Sequence, residues 1–247
     1  MAESPSYKRV LLKLSGESLV GKDMCSLDYA SCEYVAEIVK SIQDQNIEIG
    51  VVIGGGNIFR GHHAGSFGFE RTPADQIGIL ATCINGLALH QVLLSKGSKV
   101  RVMSARNFDG IIQPYNWQEA KLNLGKGVAV IFVGGTGNPY FTTDSAAALR
   151  AIEMDADVLI KATKVDGVYD KDPSIYSDAK KFDSLTYEDA LAFGLKVMDA
   201  TAIALCRDNE MDIRVVDLFS QNDVLAAVTK KRGGTLITKN LKNEVNL

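Results

Sequence analysis

Short apolar runs alternate along this chain with longer stretches whose apolar residues recur every three or four positions. "KRVLLKL" (Lys8 to Leu14), "IEIGVVI" (Ile47 to Ile53), "KVRVMS" (Lys99 to Ser104), "VAVIFV" (Val128 to Val133), "ADVLIKA" (Ala156 to Ala162) and "DIRVVD" (Asp212 to Asp217) are rich in β-branched residues and predict strands. Between them, Cys32, Val35, Ala36, Ile38, Val39 and Ile42 follow helical spacing, as do Ile77, Leu80, Ala81, Ile84, Leu87 and Ala88. Near-continuous apolar strands separated by helices predict a mainly parallel sheet with helices on both faces and right-handed crossovers. The expected fold class is thus α/β, a three-layer α/β/α sandwich, and no linker, repeat or low-complexity tract divides it.

Glycines and polar residues gather directly after the strands. "KLSGE" follows the first, "GGGNIFRG" the second, "GGTGNPYFTTD" the fourth and "KATKVDGVYDKDP" the fifth. Open α/β sheets bind ligands at the carboxyl ends of their strands, so these four loops converge on the predicted site. The third strand is followed by "ARNFDGIIQPYNWQEAK", in which Asn116 and Glu119 fit a helix cap and the third helical position.

Composition narrows the classes. With 46% hydrophobic and 23% charged residues the chain is an ordinary globular one, and its net charge of -3 gives no general attraction to nucleic acid or to an anionic membrane. No apolar run reaches bilayer-spanning length and "MAESPSYKR" lacks the apolar core of a secretory signal, so the expectation is a cytoplasmic protein without a membrane segment. Cys25, Cys32, Cys83 and Cys206 form no C-x-x-C pair, which argues against structural zinc and a disulfide framework.

Neither common nucleotide signature is present: the G-x-x-x-x-G-K-[ST] pattern is missing, and "GGGNIF" lacks G-x-G-x-x-G spacing. What remains is Lys13 at the end of a strand, Arg60 after a triple glycine, and Thr142, Thr143 and Asp144 opening a helix, a set suited to a substrate with several phosphates. Each has a plainer reading: Lys13 as a solvated strand end, Asp144 as a helix cap, Arg60 as a loop residue. His62 and His63 have no partner to complete a metal set and stay unassigned. Asp199 could cap a helix or help hold the second half of the chain, and of Lys161 and Lys164 only one is expected to face phosphate.

Taken together, "LLKLSGE", "VVIGGGNIFRG", "GTGNPYFTTDSAA" and "KATKVDGVY" resemble, in order and spacing, the bacterial UMP kinases of the amino acid kinase family, from Tyr7 to about Ile237. The resemblance implies one amino acid kinase-like domain over 7–247, with an acceptor-binding lobe to about 150 and an ATP-binding lobe from about 151. It implies that Lys13, Leu14, Ser15 and Gly16 line the ATP phosphates, that Gly56 and Arg60 face the ATP side, and that Thr163, Tyr169 and Asp172 contact adenosine. For UMP it implies Gly55, Asp75 on the ribose, and Thr136, Gly137, Asn138, Pro139, Tyr140, Phe141, Thr142 and Thr143 around the uracil and phosphate. Lys13, Arg60 and Asp144 would carry catalysis, Asp144 by orienting the lysine, with Mg2+ borne mainly by the nucleotide phosphates and no protein metal ligand.

The resemblance further implies a homohexamer and feedback inhibition by UTP. Between Val20 and Asp28 the chain departs from the family: Met24, Cys25 and Ser26 replace a Gly-Phe-Gly-type segment near the contacts used by the regulator GTP, which leaves GTP activation doubtful. The expected reaction moves the γ-phosphoryl of ATP to UMP. Two other readings share the fold: a sister kinase acting on a carboxylate or carbamate, and a non-catalytic oxyanion or nucleotide store. The "GTGNPYFTTD" loop and Asp75 speak against the first, Lys13 and Arg60 against the second.

Overall fold

The computed structural model describes residues 7–21, 25–59, 68–195 and 197–241; Arg60, His62, His63 and Met24 lie outside them. The six predicted strands are present as β1 (Arg9–Leu14), β2 (Glu48–Ile53), β3 (Val100–Ser104), β5 (Ala129–Val133), β6 (Val158–Thr163) and β10 (Ile213–Asp217). With β4 (Gln113–Pro114), β9 (Ser184–Thr186) and β11 (Thr235–Thr238) they form one nine-stranded sheet in the order β4-β3-β5-β2-β1-β6-β10-β11-β9. Pairing is parallel except between β10 and β11. A separate hairpin pairs β7 (Val168–Tyr169) with β8 (Lys181–Phe182).

Helices cover both faces. On one lie α1 (Tyr29–Gln43), α2 (Arg71–Ser95) and α7 (Gln221–Lys230); on the other α3 (Trp117–Gly125), α4 (Thr143–Glu153), α5 (Tyr187–Ala192) and α6 (Ala200–Asp208). Strand alternation divides the core between them: Val10, Leu12 and Leu14 pack toward α1, whereas Leu11 packs toward α4. Lys13 is the next residue on the α4 face, where the apolar run ends. Asn116 caps α3 as its spacing predicts, its Oδ1 accepting from the Glu119 amide at 2.9 Å.

Helix α2 departs from expectation twice. Its stripe of Ile77, Leu80, Ala81, Ile84, Leu87 and Ala88 is not a buried face, since Leu80 and Ile84 are about half exposed, while Thr82, Asn85 and Gly86 turn inward. The reason is local chemistry: the loops after β2 and β5 expose amides and carbonyls that need polar partners from this helix. By length and composition α2 is also apolar enough to cross a membrane, against the expectation that no run would be; here it lies along β3 and β5 as part of the core. Cys32, Cys83 and Cys206 are buried and Cys25 is exposed, all as free thiols.

Candidate active site

Two lysines and one aspartate meet at the carboxyl ends of the central strands. Parallel pairing sets Lys13 of β1 beside Lys161 of β6, so their side chains leave the same face of the sheet, toward α4. From the first turn of α4, Asp144 reaches both: Oδ1 is 2.5 Å from Lys13 Nζ, and Oδ2 accepts from Lys161 Nζ at 2.9 Å. Lys161 also donates to the Val197 carbonyl. All three side chains are at most 15% exposed, so two ammonium groups share one carboxylate in a place poor in water.

That enclosure shifts both partners of the pair. Burial pushes the Asp144 carboxyl up, but the charges of Lys13 and Lys161 outweigh it and hold the group below the usual carboxylate range. Burial pushes Lys161 below the ordinary lysine value; Asp144 opposes that shift, and the neighbouring Lys13 charge adds to it. With both lysines protonated the cluster carries one uncompensated positive charge, ready for an anion.

Two small cavities lie among these loops, one lined by Lys13 and Lys161 themselves and one by Thr142 and Thr143, the residues just before Asp144. The first, of about 270 Å³, is lined by Lys13, Ser15, Glu17, Ser18, Lys161, Thr163 and Lys164, with Leu218 and Phe219 at one wall. The other, of about 260 Å³, is lined among others by Gly55, Gly56, Phe59, Asp75, Thr136, Asn138, Phe141, Thr142 and Thr143. A larger depression of about 510 Å³ lies at the opposite end of the sheet, among Lys40, Gln43, Lys99 and Lys126. Its size does not make it the site: it flanks the amino ends of β2, β3 and β5, away from the buried charges.

The loops around the cluster are tied down individually. Ser15 caps a short 3-10 turn (Gly16–Leu19), its Oγ accepting from the Glu17 amide at 3.3 Å. Only glycine fits at position 16, since a Cβ there would stand 2.3 Å from Asn57 Oδ1 and 2.7 Å from the Gly54 carbonyl oxygen. The glycine loop after β2 is held by Asn85, fully buried in α2, whose Nδ2 donates to the Gly54 carbonyl and to Asn57 Oδ1, each at 2.7 Å. Asn57 in turn donates to Asn85 Oδ1 at 3.0 Å and to the Ser26 carbonyl at 2.6 Å, tying the backbone at Ser26 to this loop.

The loop after β5 is more contorted. Gly134, Gly135, Gly137 and Tyr140 all have positive φ, and at Gly137 (φ 85°) a side chain would also meet the Ala105 carbonyl at 3.0 Å. Thr82 of α2 accepts the Gly134 amide at 2.9 Å, and Asp75 Oδ2 accepts the Tyr140 amide at 2.8 Å. Thr142 ends the loop by capping α4, its Oγ1 accepting from the Asp144 and Ser145 amides at 3.0 and 3.3 Å. Thr142 also donates to Asp199, as does Ser145 Oγ at 3.1 Å, while Asp199 Oδ1 accepts the Ala202 amide at 2.8 Å as the cap of α6. Both readings of Asp199 therefore apply at once.

Not every residue named from the sequence lines a cavity. Leu14 is wholly buried, and its carbonyl accepts the Gly54 amide at 3.0 Å. Thr163 lies in the Lys13 cavity, but Tyr169 and Asp172 stand outside its lining. The Tyr169 hydroxyl donates to Asp166 at 2.5 Å, and Asp172 caps its own turn by accepting from Ser174 N and Oγ at 2.9 and 2.6 Å. Gly137, Pro139 and Tyr140 belong to the contorted loop without lining the Asp75 cavity, and Tyr140 is 66% exposed. Lys164 pairs with Glu17 at 3.1 Å and is 68% exposed, so of the two lysines left open by the sequence, Lys161 is the buried one.

Comparison with known proteins places the chain in a family. Residues 8–217 match the model of the amino acid kinase family. The chain belongs to that family. Among curated members it is 50% identical over 234 residues to a uridylate kinase of Helicobacter hepaticus, covering 94% of this chain and 99% of that one. A uridylate kinase of Protochlamydia amoebophila is 48% identical over 232 residues, covering 93% and 92%. The crystal structure of a UMP kinase from Bacillus anthracis superposes with a TM-score of 0.92 at 41% identity, covering 95% of this chain and 97% of that one.

Within this family member, sequence reasoning missed Asn85 and Thr82 and left Lys161 open. Two polar residues inside "LATCINGLAL" were the available signal for the first pair. Lys161 carried none, because its pairing with Lys13 is a matter of strand register.

Proposed function

We propose that this chain is a UMP kinase, transferring the γ-phosphoryl group of ATP to UMP to give ADP and UDP in pyrimidine nucleotide synthesis. The observation that carries it is the Lys13–Asp144–Lys161 cluster, with one cavity lined by Lys13 and Lys161 and another by Asp75, Thr142 and Thr143, in a chain about half identical to uridylate kinases. ATP would seat its phosphates over Lys13, Ser15 and Gly16 with adenosine toward Thr163, Tyr169 and Asp172. UMP would fill the cavity of Gly55, Asp75 and the Thr136 to Thr143 loop. Arg60 joins the set from outside the described residues.

The phosphate of UMP has a second pKa of about 6, so it is already the nucleophile at neutral pH and needs no general base. The barrier is repulsion between polyanions, which positioned cations and amide donors lower during in-line transfer. Lys13 and Lys161 meet the migrating group, and Asp144 fixes their aim without using its carboxylate elsewhere. Because that carboxylate is committed to two ammonium groups, the residues fit a magnesium ion held mainly by phosphate oxygens and water, which would neutralise charge on the transferred group.

We read the protein as cytoplasmic, as a homohexamer and as subject to UTP inhibition; the half-exposed Leu80 and Ile84 on α2 are an apolar surface a neighbouring subunit would cover. The test is ADP release from ATP and Mg2+ with UMP, CMP, dUMP, acetylglutamate, aspartate or carbamate offered separately. UMP alone is expected to support fast turnover; a small acid in its place would overturn the reading in favour of a sister kinase, and no turnover with any acceptor would favour a storage protein. If Asp75 holds the ribose, dUMP is a poor acceptor and Asp75→Ala raises the KM for UMP more than it lowers kcat. Equal use of UMP and dUMP by the unsubstituted chain would remove that role.

Lys161 adds a pH signature. A lysine whose pKa is depressed by burial loses its charge, as pH rises, before an ordinary lysine does. The alkaline limb of kcat is expected below the usual lysine range and is expected to move upward in Lys161→Arg, whose guanidinium stays protonated. A limb unmoved in that variant would assign it to another group.

A further inference from the structure

Tyr140 is a bulky residue at φ 72°, inside the loop that rims the Asp75 cavity. Side chains other than glycine, asparagine and aspartate seldom adopt that conformation, and it persists only where surrounding contacts enforce it. Two contacts do so here. The Tyr140 amide donates to Asp75 Oδ2 at 2.8 Å, and the Arg71 guanidinium lies over the Tyr140 ring with its Cζ 5.3 Å from the centroid. Arg71 Nε also donates to the same Asp75 oxygen at 2.7 Å, one helical turn away.

Arg71 stands at the first position of α2, where the positive end of the helix dipole disfavours a cation. Its placement there is explained by what it holds: the carboxylate of Asp75 and the ring of Tyr140. Lysine would match the charge but not the planar stack.

We propose that Arg71 is a positioning residue for the acceptor nucleotide, aiming Asp75 and clamping Tyr140 so that the loop from Thr136 to Thr143 keeps its strained shape before the acceptor binds. This rests on the reading of the Asp75 cavity as the UMP seat. Ordering that loop in advance removes a cost otherwise met on binding, so the effect falls on acceptor affinity. It also fixes which way the carboxylate faces, so it bears on the choice between ribose and deoxyribose.

The experiment is steady-state kinetics of the full chain and of Arg71→Ala and Arg71→Lys, with UMP and dUMP as acceptors. Arg71→Ala is expected to raise the KM for UMP by about tenfold, with the KM for ATP within about twofold of the parent and the UMP preference over dUMP narrowed. Arg71→Lys is expected to fall between the two, because it keeps the pair with Asp75 and loses the stack. An unchanged KM for UMP, a parallel rise in both KM values with a lowered Tm, or an unchanged UMP-to-dUMP ratio would overturn the proposal. No turnover of UMP by the parent chain would instead sink the acceptor reading, and this inference with it.

Discussion

Lys13→Ala is expected to lower kcat by at least about a hundred- to thousandfold, the loss that follows removal of one well-placed electrostatic stabiliser from an enclosed site. The parent cluster holds two ammonium groups and one carboxylate; the variant holds one of each, a neutral pair that an incoming phosphate meets without net attraction. Because the Asp144–Lys161 contact survives, the fold is expected to keep nearly its full stability, so lost activity is not lost protein. Steady-state ADP release with saturating ATP and UMP, alongside a thermal melt, reads both. A variant retaining more than a tenth of the parent kcat would remove Lys13 from the chemistry.

Asp144→Ala is expected to fail differently. Removing the shared carboxylate leaves two buried ammonium groups facing each other, and breaking a buried pair by deleting one partner costs about 3–5 kcal/mol. Both turnover and stability should fall, the second measurable as a lowered denaturation midpoint with an unchanged m-value. The parent carries the matching pH dependence. Asp144's carboxyl sits below its unfolded value, so its stabilisation is complete above the ordinary carboxylate range and is lost as pH falls through the lower folded value. Asp144→Ala should lack that acid-side loss, and an identical acid unfolding profile in parent and variant would show that the carboxylate is not the group concerned.

The central strands were legible because parallel strands buried on both faces are apolar nearly throughout, and the loops that follow them carry their own turn chemistry. The short β9 and β11 and the hairpin of β7 and β8 were not. Two- to four-residue strands such as "TLIT" have too few positions to establish a period; β11 forms on the edge that β10 offers and β9 on that of β11, while β7 and β8 pair with each other. Lys13 and Asp144 could be singled out from their positions beside glycine and threonine loops, whereas Asp75, inside a helix, was named by the family resemblance alone. Lys161 could not be chosen over Lys164, because nothing in "LIKATKVD" tells which lysine faces Lys13 across the sheet. Asn85 and Arg71 were hidden for a related reason: each acts on a loop distant in sequence, and a helix pattern reports only its own periodicity.

Lys13 and Lys161 ride on neighbouring strands of one sheet, whereas the Asp75 cavity is shaped by loops pinned to α2. Interstrand spacing, about 4.8 Å, is among the stiffest dimensions a protein possesses, so the two lysines start from fixed backbone positions and Asp144 sets where their ammonium groups end. The acceptor wall is exchangeable by comparison. Loop grafts that replace Thr136 to Thr143 together with the facing turn of α2 should therefore alter which molecule is phosphorylated while the charge spacing stays as it is, giving this scaffold a separate handle for substrate choice.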